Sequence, residues 1–82
     1  MKIVIYTKNN CPNCEMAKSL LKSKGLDFEE WSMEDEGRRN NFLAAYPELR
    51  QMPQIWIGDQ RVGGFAGLKA ALEKLDEKTK QL

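Results

Sequence analysis

The chain has 82 residues, 41% of them hydrophobic and 30% charged, with a formal net charge of +1. That length supports one small domain over residues 1–82 with a modest core, since domains of about 60 residues bury only ~60% of the surface their unfolded chains expose. The absence of a Lys/Arg block argues against nucleic acid. The apolar runs fall far short of the roughly 20 residues that span a bilayer, and with no histidine in the chain a catalytic triad, a Cys–His pair or a Cys2His2 zinc site cannot be built.

Lys2-Ile3-Val4-Ile5-Tyr6 is too short for the apolar region of a secretory signal and reads as a strand buried on both faces. Thr7-Lys8-Asn9-Asn10 is a polar turn. The spacing predicts a helix from Pro12 to Lys24, with proline at its first position and Gly25 just past its end. Cys14, Ala17, Leu20 and Leu21 fall on one face of that helix, and Glu15, Lys18, Ser19 and Lys22 on the other. Leu26 to Trp31 reads as a second strand, Leu26 and Phe28 inward. Two strands joined by a three-turn helix form a right-handed crossover between parallel neighbours.

Ser32 to Glu36 offers N-cap candidates and early acidic residues for a second helix, which carries Phe42, Ala45 and Tyr46 on one side and stops at Pro47. Gln54-Ile55-Trp56-Ile57 is a third strand, Gly58-Asp59 a turn and Gln60-Arg61-Val62 the returning strand. After Gly63-Gly64, a last helix from Phe65 presents Phe65, Leu68, Leu72 and Leu75 to the core, with Asp76 to Lys80 a solvated, fraying tail. The order βαβαββα is an α/β layout, that of the thioredoxin fold. The expectation is a four-stranded mixed sheet of order 2-1-3-4 flanked by three helices, with strands three and four antiparallel to the first two.

The chemistry centres on Cys11-Pro12-Asn13-Cys14, which holds both cysteines of the chain. A two-residue spacer puts the second thiol one helical turn behind the first. A bridge across it closes a four-residue loop worth about 2 kcal/mol, a poor structural staple. Small secreted domains use four to eight cysteines, so a lone pair points to dithiol–disulfide exchange by a cytoplasmic monomer. Cys11, at the helix start, meets unsatisfied N–H groups and the positive end of the macrodipole, which favour a thiolate open to water. Lys8 adds a positive charge three residues upstream. Cys14, one turn in and facing the core, stays a protonated thiol until it attacks the Cys11 sulfur and releases the reduced product. Met52-Pro53 before the third strand would lie opposite the dithiol, where a cis bond would present the Met52 backbone to an extended peptide. Gly63-Gly64 leaves bare N–H groups at a helix start, suited to a carboxylate.

Thr7-Lys8 before Cys11-Pro12-Asn13-Cys14, Met52-Pro53-Gln54-Ile55, and Val62-Gly63-Gly64-Phe65, in register over residues 2 to about 75, resemble the glutaredoxin family. The resemblance implies a cis bond at Pro53 and glutathione as co-substrate, bound as a mixed disulfide to Cys11, with no tightly bound cofactor and no metal. By position, glutathione would touch Lys8, Asn13, the backbone of Met52 at Pro53, and the turn Gly64-Phe65-Ala66, with Arg38 or Arg39 pairing with its glycyl carboxylate. The clients implied are protein disulfides, ribonucleotide reductase among them.

Three positions depart from the family pattern. Asn13 replaces an aromatic spacer, Gln51-Met52 replaces Thr-Val, and Ala66-Gly67 replaces the aspartate that holds the γ-glutamyl amine. Losing a charge-assisted contact of that kind weakens binding by ~1.5–3 kcal/mol. Arg50-Gln51-Met52-Pro53 and Gly64-Phe65 also resemble the small redoxins recharged by thioredoxin reductase rather than glutathione. A third reading is an iron–sulfur or metal carrier, with Cys11 from two subunits and two glutathiones as ligands; its relatives usually have a single cysteine in the motif.

Overall fold

The computed structural model describes residues 2–80, except for the side chains of 76–80. Its elements run β1 (Ile3–Thr7), α1 (Pro12–Ser23), β2 (Glu29–Ser32), α2 (Glu36–Ala45), β3 (Gln54–Ile57), β4 (Gln60–Gly63) and α3 (Phe65–Lys80). The strands form one sheet of order β2-β1-β3-β4, with β1 and β2 parallel and β3 antiparallel to both β1 and β4. This is the thioredoxin fold expected from the order of elements, with one correction: β4 is antiparallel to β3, which is itself antiparallel to β1, so β4 runs in the same direction as β1 and β2 and β3 alone opposes them.

β1 occupies the centre because its alternate side chains feed two layers. Ile3, Ile5 and Thr7 are buried, while Val4 and Tyr6 are half-buried on the opposite face. Ile3 and Ile5 join Ala17, Leu21, Ile55, Leu68 and Leu72 in an aliphatic core between the sheet and α1 with α3. Phe65 and Leu75 are half-buried and pack on it from α3, as the heptad spacing implies. On the other face Tyr6, Phe42, Trp56 and Tyr46 form a chain of tilted and edge-on rings, with centres 4.6 to 6.1 Å apart.

α1 closes with a left-handed glycine. Gly25 has φ +69°, its N–H reaches the Lys22 carbonyl at 3.0 Å, and Leu26 N–H reaches the Leu21 carbonyl at 3.0 Å. These two bonds satisfy carbonyls the helix would otherwise leave open. They also explain why β2 starts at Glu29 and not at Leu26. Gly25 and Leu26 are spent on the cap, and the ladder with β1 begins only where Glu29 meets Val4. Leu26 and Phe28 still pack against the core. Asp35 is the N-cap of α2, accepting the Arg38 N–H at 3.2 Å, and the helix yields to Tyr46 as C-cap just before Pro47. α3 is helical to Lys80; the solvation expected for the Asp76–Lys80 side chains lies outside the described residues.

Candidate active site: the dithiol at the start of α1

Local sequence places the two sulfurs. Asn10 adopts φ +55°, a conformation asparagine tolerates better than most residues, and turns the chain from β1 into the helix. Cys11 follows as the extended N-cap and Pro12 as the first helical residue. The Cys11 Sγ accepts the Cys14 N–H at 3.1 Å, the bond a capping oxygen would ordinarily make. A sulfur in this position sits on the positive end of the α1 macrodipole, which stabilises negative charge there.

Cys11 and Cys14 are joined in a disulfide, their Cα atoms 5.2 Å apart. Cys14 is 1% exposed, as its core-facing position demanded. Cys11 is 7% exposed, less open than expected for an attacking sulfur. The cover comes from Met52. Its carbonyl oxygen lies 3.6 Å from the Cys11 Sγ, a contact across which a reduced, protonated Cys11 donates a hydrogen bond. The Met52–Pro53 bond is cis, so the proline expected opposite the dithiol is there in the expected isomer.

The other sequence-predicted residues divide into two groups. Lys8 is exposed and shares a hollow of about 200 Å³ with Met52, Met33, Leu43, Arg39, Arg50 and one acidic residue, Glu34. Gly64 adjoins Pro53: a Cβ on it would stand 3.6 Å from the Pro53 carbonyl oxygen. Phe65 is half-buried at the start of α3, and Ala66 and Asn13 are exposed. Arg38 is elsewhere. Its guanidinium lies 4.9 Å from the Trp31 ring centre and donates to the Ser32 carbonyl at 3.0 Å, on the aromatic face of the sheet. Successive helical residues differ by about 100° in direction, so Arg39 faces the hollow beside Lys8 when Arg38 does not.

Sequence reasoning left two features unseen. Arg50, noted there only within Arg50-Gln51-Met52-Pro53, lines the hollow with Lys8 and Arg39. The second is a polar cluster behind the dithiol. Thr7 Oγ1 donates to Glu30 Oε2 at 2.9 Å, Lys18 Nζ donates to the same oxygen at 3.1 Å, and Lys18 Nζ lies 3.0 Å from Glu15 Oε1. Hydrogen bonds donated to Glu15 and then to Glu30 hold the Lys18 ammonium above its usual pKa, against the opposing effect of burial. Burial pushes the Glu30 carboxyl up, but hydrogen bonds from Lys18 and Thr7 and the charges of Lys18 and Lys22 outweigh it and hold the group below the usual carboxylate range. Only the parallel register, which sets Glu30 beside Ile5 and one step from Thr7, brings these residues together.

This geometry suits thiol–disulfide exchange: a capped, ionisable sulfur at a helix start and a second sulfur in bonding reach. The glutaredoxin family model matches residues 3–62. The glutaredoxin of Pseudomonas aeruginosa is 43% identical over 68 residues, which cover 83% of this chain and 81% of that protein. Among solved structures, glutaredoxin 1 from Francisella tularensis, in complex with cacodylate, superposes with a TM-score of 0.79 at 32% identity, over 93% of this chain and 96% of that one. The glutaredoxin-like NrdH-redoxin from Escherichia coli, described as having a thioredoxin-like activity profile, superposes with a TM-score of 0.67 at 34% identity, over 79% and 84%. Carrying its Cys11–Cys14 pair on this fold, the chain belongs to the glutaredoxin family of thiol–disulfide oxidoreductases.

Proposed function

We propose that the chain is a dithiol glutaredoxin that reduces protein disulfides and glutathione mixed disulfides in the cytoplasm, with glutathione as its reductant. The Cys11 thiolate attacks the substrate disulfide, one substrate sulfur leaves as a thiol, and Cys11 holds the other in a mixed disulfide. Cys14 then attacks the Cys11 sulfur, the second substrate thiol leaves, and the Cys11–Cys14 disulfide remains. Two glutathione molecules reduce it, and glutathione disulfide carries the electrons away.

The observation that carries this reading is the hollow beside the dithiol, where three cationic side chains outnumber the single carboxylate of Glu34. Glutathione carries two carboxylates and one ammonium, and Lys8, Arg39 and Arg50 stand next to Met52, across from the Cys11 sulfur. The glycyl carboxylate enters that hollow, with Arg39 in the part that Arg38 would have taken. The peptide of glutathione lies along the Met52 backbone at Pro53, and its γ-glutamyl end reaches toward Asn13 and the Gly64-Phe65-Ala66 turn.

One feature favours a second reading, a donor redoxin recharged by thioredoxin reductase. Ala66 carries no carboxylate, and a Cβ at Gly67 would run into the Val62 carbonyl. Neither position therefore offers an anion to the γ-glutamyl amine. Either reductant leaves ribonucleotide reductase as a client of matching chemistry, since its turnover produces a dithiol-reducible disulfide.

Offering the oxidised protein either glutathione or NADPH with thioredoxin reductase, and counting thiols over time, separates the two readings. Glutathione alone restoring both thiols supports the first, and recovery only with the reductase overturns it. In the glutathione-coupled hydroxyethyl disulfide assay, Cys11→Ser is expected to abolish turnover. Cys14→Ser is expected to keep glutathione mixed-disulfide exchange while losing protein disulfide reduction, because only the latter needs internal resolution.

A further inference from the structure

The resolving step sets an electrostatic problem that the helix dipole solves only for the other sulfur. Cys14 is 1% exposed, and burial disfavours its thiolate. Yet the thiolate, not the thiol, attacks the Cys11 sulfur. Resolution must therefore gather negative charge on a sulfur that water does not reach.

The polar cluster lies at that corner. Cys14 and Lys18 are one turn apart on α1, a spacing that puts their Cβ atoms about 5–6 Å from each other. Helical side chains lean back toward the N-terminus, and Lys18 does so here. Its Nζ sits 3.0 Å from the exposed carboxylate of Glu15, the residue that follows Cys14. Glu30 fixes it from the side at 3.1 Å, and the buried Thr7 hydroxyl holds Glu30 in turn at 2.9 Å. Only 18% of the Lys18 side chain is exposed, although its carboxylate partners Glu15 and Glu30 reach water and screen part of its charge.

We propose that Lys18 is a positioning residue for the resolving step, clamped by Glu15, Glu30 and Thr7 so that its ammonium favours the Cys14 thiolate as the mixed disulfide breaks. This inference rests on the roles proposed for Cys11 and Cys14. In the step itself the Cys14 sulfur gives up its proton and bonds the Cys11 sulfur, the bond from Cys11 to the substrate sulfur breaks with its electron pair leaving on that sulfur, and the departing substrate thiolate takes up a proton in its place. The charged groups on the elements around this corner are Glu15, Lys18 and Lys22 of α1, Glu30 of β2 and the exposed Lys8 of the loop. Thr7 of β1 is neutral, and α3 turns the aliphatic Leu68 and Leu72 inward while its Lys69 and Glu73 stay exposed.

One equivalent of 2,2′-dithiodipyridine, a neutral disulfide, separates the two steps in stopped flow. The first thiopyridone released reports attack by Cys11, and the second reports resolution by Cys14. Lys18→Gln keeps a donor for Glu30 but removes the charge. If it raises the Cys14 pKa by one unit, the thiolate fraction falls tenfold while nucleophilicity rises about threefold. The second phase of Lys18→Gln is then about threefold slower than wild type below the Cys14 titration and about threefold faster above it, while the first phase is unchanged. The two pH profiles cross. Lys18→Arg keeps the wild-type profile, and Glu30→Gln, which removes a counter-charge but keeps an acceptor, moves the midpoint down. A second phase slowed by the same factor at every pH, an unmoved midpoint, or a Glu30→Gln midpoint that rises would overturn the proposal. Release of a single equivalent by the wild-type protein would instead refute the dithiol roles themselves.

Discussion

On the α1 and α3 side of the sheet, Ile5, Leu21, Ile55 and Leu68 are fully buried among aliphatic neighbours. On the α2 side, Trp31 and Tyr46 remain 39% and 43% exposed, and Phe42 is the one buried residue of α2. The two faces thus contribute unequally. Apolar area removed from water stabilises at roughly 25 cal/mol per Å², and the aliphatic face is where that removal is complete. The dithiol belongs to the same face: Cys14 continues the buried stripe of Ala17 and Leu21 on α1. The sulfur that must resolve the mixed disulfide is therefore anchored to the most stable part of the molecule.

The sharpest way to break this contrast is truncation on each side. Leu68→Ala is expected to lower the unfolding free energy by about 2–5 kcal/mol, the range for a large aliphatic side chain removed from a close-packed core. Tyr46→Ala, on the open face, is expected to lose less than about 1 kcal/mol beyond its ring contacts with Phe42 and Trp56. Urea denaturation of the reduced forms measures both. Equal losses would mean that the aromatic face holds the fold as firmly as the aliphatic one.

How far such contrasts could be read in the sequence depended on the range of the interactions. Short-range signals were sufficient for α1, where Pro12 and Gly25 mark its ends. They were sufficient also for the hairpin at Gly58-Asp59, but the continuous apolar run of β1 read as buried on both faces, whereas Val4 and Tyr6 are only half-buried. The cis bond at Pro53 followed from the family resemblance, since proline at a strand start is ordinarily trans. What stayed hidden depends on register or on rotation about a helix. Arg38 and Arg39 are neighbours in the chain, and only the docking of α2 decides which one faces the hollow and which one stacks on Trp31. The Thr7, Lys18 and Glu30 cluster spans three elements and exists only because β2 lies parallel to β1 with Ile5 beside Glu30. The cover that Met52 gives Cys11 likewise joins residues 41 positions apart.

A smaller effect sharpens the picture where the aliphatic face meets β4. In a helix interior, glycine is ordinarily less favourable than alanine by about 0.8–1 kcal/mol, so Gly67→Ala in the first turns of α3 would stabilise an isolated helix. Here the added Cβ would collide with the Val62 carbonyl, which is backbone and cannot swing aside. α3 must instead lift from β4, and overpacking of this kind costs about 1–3 kcal/mol. Gly67→Ala is therefore expected to destabilise, with the sign reversed relative to propensity. A rise in thermal midpoint would show that α3 has slack against β4.

The smallest expected effect concerns pH. Glu30 is held below the usual carboxylate range chiefly by its hydrogen bonds from Lys18 and Thr7, which outweigh its burial. A carboxyl with a depressed folded-state pKa contributes stability that is fully present above its unfolded-state pKa and is lost as the pH falls through its folded-state pKa. Glu30→Gln removes that titration. The variant is expected to be slightly less stable than wild type at neutral pH, and the gap is expected to close in acid, once the wild-type carboxyl is protonated too. Because Glu30 is partly exposed, water screens the pair and the gap stays small. Lys18 gives the complementary limb. Its raised pKa contributes stability that is present below the unfolded-state value and lost only in strong alkali, so it leaves the acid limb to Glu30. Urea midpoints of both proteins between neutral and acid pH measure the convergence. A gap that holds constant into acid would mean that Glu30 ties β2 to α1 through its shape rather than its charge.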